Sequence, residues 1–503
     1  LPYSWFPGFL LNPFGVAFAA TCLTYPIMPL ANYSPLHGLP PLAGVADFSS
    51  AMSPGLSIDH CVDRLKRHHW AFRRLHEIFI QRLTAEPIYE LKMAFSLHAH
   101  YCAEHAAAWR KRVGEMREPP LGLDEVPHAA FEVFFDEILA ARDAGTLLVG
   151  VYQHALPALR AALQGHLTDT NPLIDHPSVR IIRFALIEVD EMIAYGAKAT
   201  AALPSSEKPE TLTAWAGVLD GLLAAGGGFD GAGARSTAAP ERMFSAQPRA
   251  YDKVPRRDVR FPDPYNMGVH AEVFLYDDKM PASSKTLMMY YKRLREIDVP
   301  EMMASIIAET KGQPWDYHVD MTRQLWDEAR HAMMGEVGFV RAGIDWREFV
   351  RVNFTWSLAL NTQLKPLERH AVLYFIEQGL MPKTGKRFEW EVGLASGDAF
   401  AALCQDYDWA DEVLHARIGR DWYVKQIGNA KQATAYGDEC WSRVLIDWQS
   451  YKDRGLTQHA NWWPALYREF CRIRDEKPDP TVLAYDTSYA AARADLKELS
   501  VSG

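Results

Sequence analysis

Two stretches of this chain, about eighty positions apart, carry the same acid–imidazole step: Asp327-Glu328-Ala329-Arg330-His331 and Asp411-Glu412-Val413-Leu414-His415. Residues i and i+3 share a helix face, so each step would aim one carboxylate and one imidazole at a common point. Carboxylate oxygens are hard ligands suited to ferric iron and manganese. Imidazole nitrogen holds ferrous iron and leaves positions open for dioxygen. Two such helices, with one glutamate from each of two others, form a cage for two iron or manganese ions. Without metal, so many buried acids in one core would be costly.

The hydrophobic pattern gives the elements that must position these residues. Helix A is expected over 284–310, ending at Lys311-Gly312, and helix B from about Pro314, a good first-turn residue, to about Glu336. Helix C spans 347–378 and stops at Gly379 and Pro382, and helix D runs from an N-cap at Ser396 to about Tyr436. In an antiparallel hairpin, residues equally far from the turn lie level. Glu301 falls about ten residues before the A–B turn and Glu328 about fourteen after it. Glu368 falls about eleven before the C–D turn and Glu412 about sixteen into helix D. At a rise of about 1.5 Å per residue, all four come within roughly a turn of one another.

The expected metal ligands are therefore Glu301, Glu328, His331, Glu368, Glu412 and His415. Glu377 is the reserve on helix C, and Glu309 is too near its turn. Asp327 and Asp411 are expected to accept the outer N–H of a ligand histidine on the partner helix, which fixes its tautomer, with Arg330 pairing to one of them.

With these residues in this order, the chain resembles the ferritin-like di-iron carboxylate superfamily. That group includes bacterial multicomponent monooxygenases, acyl-carrier-protein desaturases and the small subunit of ribonucleotide reductase. The Asp-Glu-x-Arg-His signature matches at Asp327–His331, whereas Leu414 stands where the second step often has Arg. The resemblance covers 284–436. It implies a ferritin-like four-helix bundle holding two iron ions, or a Mn/Fe pair, with dioxygen as co-substrate. The implied activity is an oxidoreductase that hydroxylates, desaturates or N-oxygenates a small organic substrate, entering by a channel lined by apolar residues of helices B and C. An external electron donor, a reductase or ferredoxin, is implied because the chain carries no flavin or Fe–S motif. The alternative is a non-catalytic iron-binding, storage or structural protein.

The N-terminal half reads as a degenerate copy of the same unit. Glu77 precedes Glu104 by 27 positions, as Glu301 precedes Glu328. Ala103-Glu104-His105-Ala106-Ala107 matches the first step and Asp190-Glu191-Met192-Ile193-Ala194 the second, with alanine at both histidine positions, and Gly196 echoes Gly419. No acid stands near Tyr152–His154, where helix C would offer one. The copy is expected to hold no di-metal site. A rival reading gathers His98, His100, His105 and Glu104 into a different metal site.

The expected fold is all-α, with two tandem ferritin-like four-helix bundles and an irregular N-terminal arm. The divisions are an arm at 1–57, a degenerate bundle at 58–203, a linker at 204–270 with one short helix near 210–224, the di-metal bundle at 271–455, and a tail at 456–503 with a short helix at 487–498. The 503 residues exceed what one core usually holds. A net charge of −10 without a basic run argues against a nucleic-acid partner. Six scattered cysteines without a Cys-x-x-Cys pair read as free thiols of a cytoplasmic protein. Residues 8–31 are apolar, but Pro13, Pro26 and Pro29 interrupt them, so an arm packed on the body is expected rather than a membrane span. A homodimer is compatible with these features. Trp315, Trp326, Trp346, Trp356 and Trp409 are expected to flank the cage and to serve packing, as is Tyr374. Gly226-Gly227-Gly228 lacks the Lys-Ser/Thr of a phosphate loop.

Overall fold

The computed structural model describes residue 30 and residues 33–116, 122–446 and 448–489. All regular structure among them is helical. The apolar stretch at 8–31 and the expected final helix at 487–498 lie almost wholly outside these residues. No helix of the described residues is long and apolar enough to cross a membrane.

In the N-terminal half, α1 (Ile58–Leu83) and α2 (Tyr89–Gly114) form a long hairpin. The Ser57 side chain caps α1 by accepting the His60 N–H, which satisfies one of the orphan donors of the first turn. After α3 (Ala129–Leu139) comes a helix with a π-helical stretch at Val149–Ala155 that continues as α4 (Leu156–Asp169). It packs on α5 (His176–Ala202), which also lies along α2. The short linker helix is α6 (Pro209–Ala225), close to the expected 210–224. The rest of the linker is not loose chain. Buried Glu137 of α3 accepts the backbone N–H groups of Met243, Phe244 and Ser245 and the indole N–H of Trp215.

In the C-terminal half, helix A is broken in two, α7 (Ala282–Arg295) and α8 (Asp298–Glu309). The break falls at Glu296-Ile297, just before Pro300, whose ring cannot sit inside a continuous helix without disrupting it. Helix B is one element, α9 (Trp315–Arg341). Helix C is interrupted into α10 (Thr355–Gln363) and α11 (Pro366–Gly379), the second starting at a proline suited to a first turn. An unexpected helix, α12 (Lys386–Ala395), follows. Helix D is α13 (Ala399–Gly419), capped by Asp398, while Ser396 closes α12 instead. A π-helical stretch at Arg420–Val424 and a left-handed Gly428 separate α13 from α14 (Ala430–Ile446). The tail contributes α15 (Trp463–Ile473), which the hydrophobic pattern did not reveal.

One apolar core runs through both halves, from Phe72 and Trp109 to Met303, Ile306 and Leu325. Hairpin α1–α2 lies against α8 and α9, joined by the His76 ring to Thr322 at 2.9 Å and by the Trp315 indole donating to the Ala103 carbonyl at 3.0 Å. The central packing step for the candidate site is α7 on α9. A Cβ at Gly335 would lie 2.3 Å from the Leu294 backbone nitrogen, so only glycine allows this approach. That contact brings the end of α7, and Glu296, level with Glu328 and His331.

Candidate metal centre

Four elements converge on one buried polar cluster. The α7–α8 break supplies Glu296, α9 supplies Glu328 and His331, α11 supplies Glu377, and α13 supplies Asp408, Glu412 and His415. Two sets of donors are close enough to share an ion: Glu328, Glu377, Glu412 and His415, and Glu296, His331 and Asp408. Glu328 links them. Its Oε1 lies 3.1 Å from His415 Nδ1, and its Oε2 lies 3.6 Å from His331 Nδ1. Glu412 Oε2 stands 3.5 Å from His415 Nδ1, and Glu296 Oε2 stands 3.6 Å from His331 Nδ1.

Glu328, His331, Glu412 and His415 thus come together as their spacing requires. Glu301 and Glu368 do not join them. Glu301 is buried in an ion-pair network, 3.0 Å from Lys92 Nζ and held by both arms of Arg257 at 2.9 and 3.1 Å. Glu368 sits in the first turn of α11, where it accepts the Lys365 backbone N–H at 2.7 Å and pairs with Arg443 at 2.9 Å. The physical reason is height in the hairpins. Counted from the A–B turn, Glu296 stands about as far from it as Glu328, while Glu301 stands about a turn closer. With α12 inserted before helix D, it is the reserve Glu377, not Glu368, that comes level with Glu412 and His415.

The outer faces of the histidines are held across the helix pair. His415 Nε2 lies 3.4 Å from Asp327, and His331 Nε2 lies 3.1 Å from Asp411. Arg330 donates to both aspartates. With each Nε2–H donated outward, each Nδ1 keeps its lone pair for the centre. Burial works against ionisation of Asp327, but the His415 N–H and Arg330 hold its carboxyl well below the usual range.

Sequence reasoning missed the cations. Lys386, fully buried at the start of α12, places Nζ 2.7 Å from Glu412 Oε1 and 2.9 Å from Asp408. Arg293 pairs with Asp408, with Glu296 at 3.0 Å and with Glu389 at 3.3 Å. Each cation binds the oxygen of Glu412 or Glu296 that faces away from the histidines, so Oε2 of both acids is turned inward. Burial and neighbouring carboxylates raise Glu296 to about 7, and burial with the Glu412 charge raises Glu377 well above its usual value. Burial disfavours the charged form of His331, but Asp408, Asp411 and Glu328 push it up to about 10. A cluster that would otherwise take up protons is a cluster suited to bind a cation.

The fit to metal rests on atoms left without partners. His331 Nδ1, His415 Nδ1, Glu296 Oε2 and Glu412 Oε2 are all buried and make no hydrogen bond. Such orphaned groups cost about 1–3 kcal/mol each, and more when charged. All four belong to the two donor sets.

Comparison with protein-family models, with curated proteins and with solved structures gave no match. The functional reading therefore rests on this geometry.

A cavity of about 250 Å³ opens directly on the carboxylates, with Glu296, Glu328, Glu377 and Glu412 at one end. Apolar residues line much of the rest, Val299, Met302, Leu360 and Ile376 with Trp356 stacked on Trp441 at 4.2 Å, beside the charged Glu272, Lys292, Arg295 and Asp298. This cavity is not the channel expected between helices B and C. It lies between the A and C segments, and Glu328 is the single residue of α9 on it. Of the flanking tryptophans, Trp356 lines the cavity. Trp315 packs instead against α1 and α2, through His76 and Ala103. Tyr374 is core, packed on Gly419 and Tyr423.

The acids assigned to the degenerate copy do not face its interior. Glu104 and Glu191 are exposed, as is Ala194, and Glu77 pairs with Arg74 and Gln81 near the surface. The interior line of α5 is Ala185, Val189, Met192 and Gly196. Nor do His98, His100 and His105 gather: His98 bonds the Tyr152 hydroxyl at 2.6 Å and His105 pairs with Glu188 at 2.6 Å.

Proposed function

We propose that the chain is a metal-dependent oxidoreductase of the di-metal carboxylate type, acting on dioxygen and a small apolar organic molecule. The observation that carries this reading is the set of four unpartnered buried donors, two imidazole nitrogens and two carboxylate oxygens, divided between two adjacent positions that Glu328 spans. Glu296, Glu328 and His331, with Asp408 beside them, would hold one ion, and Glu328, Glu377, Glu412 and His415 the other. Iron at these positions would supply electrons to dioxygen, and an apolar substrate would be hydroxylated, desaturated or N-oxygenated.

The chain's own residues do the rest. Asp327, Asp411 and Arg330 fix the histidine tautomers. Lys386 and Arg293 offset the excess of carboxylate charge and turn Glu412 and Glu296 inward. The Trp356–Trp441 wall holds a substrate against the carboxylate end and keeps water out. Electrons come from a separate donor protein.

The finer fold belongs to the same proposal: two ferritin-like bundles in tandem, the first without a metal centre. Tyr152 fills the space beside Gly196 as Tyr374 does beside Gly419. Seven and four positions before these glycines stand Val189 and Met192 in one case, Glu412 and His415 in the other. Three positions after the tyrosines stand Ala155 and Glu377. Apolar residues thus replace three of the donors, which supports a duplicated unit whose first copy serves packing.

The test is oxygen uptake by protein loaded anaerobically with ferrous iron and supplied with a chemical reductant. Sustained uptake that rises with an apolar substrate and yields an oxidised product supports the enzyme. Uptake that stops once the bound iron is oxidised, whatever is added, would leave an iron-holding protein.

A further inference from the structure

A second donor cluster lies in the other half of the molecule, where the ends of four helices meet. Cys61 is in the first turn of α1, Arg112 in the last turn of α2, His166 in the last turn of α4, and Asp175 immediately precedes α5. Cys61 Sγ lies 3.3 Å from Asp175 Oδ2 and 3.7 Å from His166 Nε2, and the last two atoms are 4.0 Å apart. Cys61 and His166 are buried, and Asp175 nearly so.

We infer that Cys61, His166 and Asp175 form a structural zinc site that ties these helix ends together. Around a tetrahedral zinc ion, with bonds of about 2.0–2.3 Å, ligand atoms stand roughly 3.3–3.6 Å apart. The triangle observed, with edges of 3.3, 3.7 and 4.0 Å, is a few tenths of an ångström wider on two sides, a gap that small side-chain shifts would close around an ion. One thiolate, one carboxylate and one neutral imidazole is a mixed set that suits zinc better than calcium or magnesium.

The surrounding contacts are those that orient ligands. His166 Nδ1 meets His68 Nε2 at 3.2 Å, which directs the His166 Nε2 lone pair at the cluster when His166 is the donor. Arg112 donates to Asp175 Oδ1 at 2.8 Å and Thr170 to Oδ2 at 3.0 Å. Ser178 Oγ, 4.0 Å from the sulfur, stands beside the fourth position.

With His166 Nδ1 donating to His68, the Cys61 S–H is the one hydrogen that either the Asp175 oxygen or the His166 nitrogen can accept; Thr170 also serves the oxygen, so the nitrogen is the atom left short. A divalent ion serves all three atoms at once, with the thiol proton released on binding. Its two charges balance thiolate and carboxylate. The nearby guanidiniums have other carboxylates to balance them, Arg112 with Glu115 at 3.4 Å and Arg64 with Asp169 at 2.7 Å.

The experiment is cobalt(II) substitution of the full chain, read by near-ultraviolet absorption. A thiolate on cobalt gives a charge-transfer band that the sulfur-free carboxylate–histidine cage cannot give. The inference expects a band equivalent to one thiolate per chain, its loss in Cys61→Ser, and a fall of one zinc per chain in that variant with iron unchanged. His166→Gln should shift the band and weaken zinc binding at least tenfold. Absence of the band in the wild type overturns the inference, whether or not the variants fold, and leaves a hydrogen-bonded staple. A band unchanged in Cys61→Ser and His166→Gln overturns it as well.

Discussion

Glu328 Oε1 and His415 Nδ1 face each other at 3.1 Å across the α9–α13 pair, yet the nitrogen has no hydrogen-bond partner of acceptable geometry. Two ligand-type atoms held at that distance, both buried, are placed for a shared cation.

Exchanging the glutamates should separate ligands from structural acids. Glu377→Gln and Glu296→Gln should each lower iron content by about one ion per chain, read by elemental analysis. Glu368→Gln should leave it unchanged. Glu301→Ala should also leave the iron content unchanged, but it strands Lys92 and Arg257 in the core. A broken buried pair costs about 3–5 kcal/mol, which a urea titration would resolve. Iron lost in Glu368→Gln and retained in Glu377→Gln would mean that the wrong pair has been chosen.

The aspartates behind the histidines should act through tautomer and orientation. Asp327→Asn and Asp411→Asn keep the shape but lose the charged acceptor, and metal affinity should drop about 10–100-fold. Competition with a chromophoric chelator measures this, and unchanged affinity in both variants would refute the assigned role.

How much of this was legible in the chain depends on helix continuity. Glu328, His331, Glu412 and His415 could be found because each pair lies within one unbroken helix, where i and i+3 fix the face. The crossing from His331 to Asp411 and from His415 to Asp327 followed from the same spacing. Glu296 was passed over in favour of Glu301 because a tolerance of a full turn in height admitted Glu301. The count itself held a clue: Glu296 lies as far before the A–B turn as Glu328 lies after it, whereas Glu301 is about a turn too close. For Glu377 there was no such signal. Helix α12 lies between its helix and α13, and the same omission hid Lys386 and Glu389. In the N-terminal half Glu191 and Ala194 carry the motif's spacing on the exposed face of α5, while Val189, Met192 and Gly196 line its interior.

Lys386 should matter most when metal is absent. Lys386→Met removes the cation that Glu412 and Asp408 share, so the metal-free protein should lose about 3–5 kcal/mol. Bound ions would supply the missing positive charge. The rise in melting temperature on adding ferrous iron or manganese(II) should therefore be larger in the variant than in the wild type. An equal rise would show that Lys386 does not share charge with the bound ions.

Acid should weaken the metal-free fold through histidines buried as neutral rings. Burial lowers His69 and His98 to about 3, His166 and His370 to about 4, and His68 and His76 well below their ordinary value. Their stabilising effect is complete above the unfolded value near 6.5 and is lost as pH falls toward the folded ones. Each contributes about 1.4 kcal/mol per pH unit in that window. Glu296 and Asp298, raised to about 7 by burial, and Glu377 oppose this between about 4.5 and 7. With His100 and His318, also lowered to about 4 by burial, the imidazoles outnumber these carboxyls, so unfolding near pH 5.5 takes up protons, seen as a denaturation midpoint that falls with pH. A midpoint that rose on acidification would contradict it.

The cavity should govern the substrate without touching the metal. Leu360→Trp would fill the space beside Trp356, and substrate-dependent oxygen uptake should fall roughly tenfold or more. Iron content should be unchanged. Undiminished uptake would place the organic substrate elsewhere.

The central claim, that the buried carboxylates and histidines exist to hold metal, is tested most directly by iron and manganese content per chain. Protein carrying its native metals would be measured beside the Glu328→Ala/His415→Ala double variant. The structure leads us to expect about two ions per chain in the wild type and essentially none at this centre in the double variant. A folded wild type without iron or manganese under metal-replete conditions, or a double variant that kept its full complement, would contradict it.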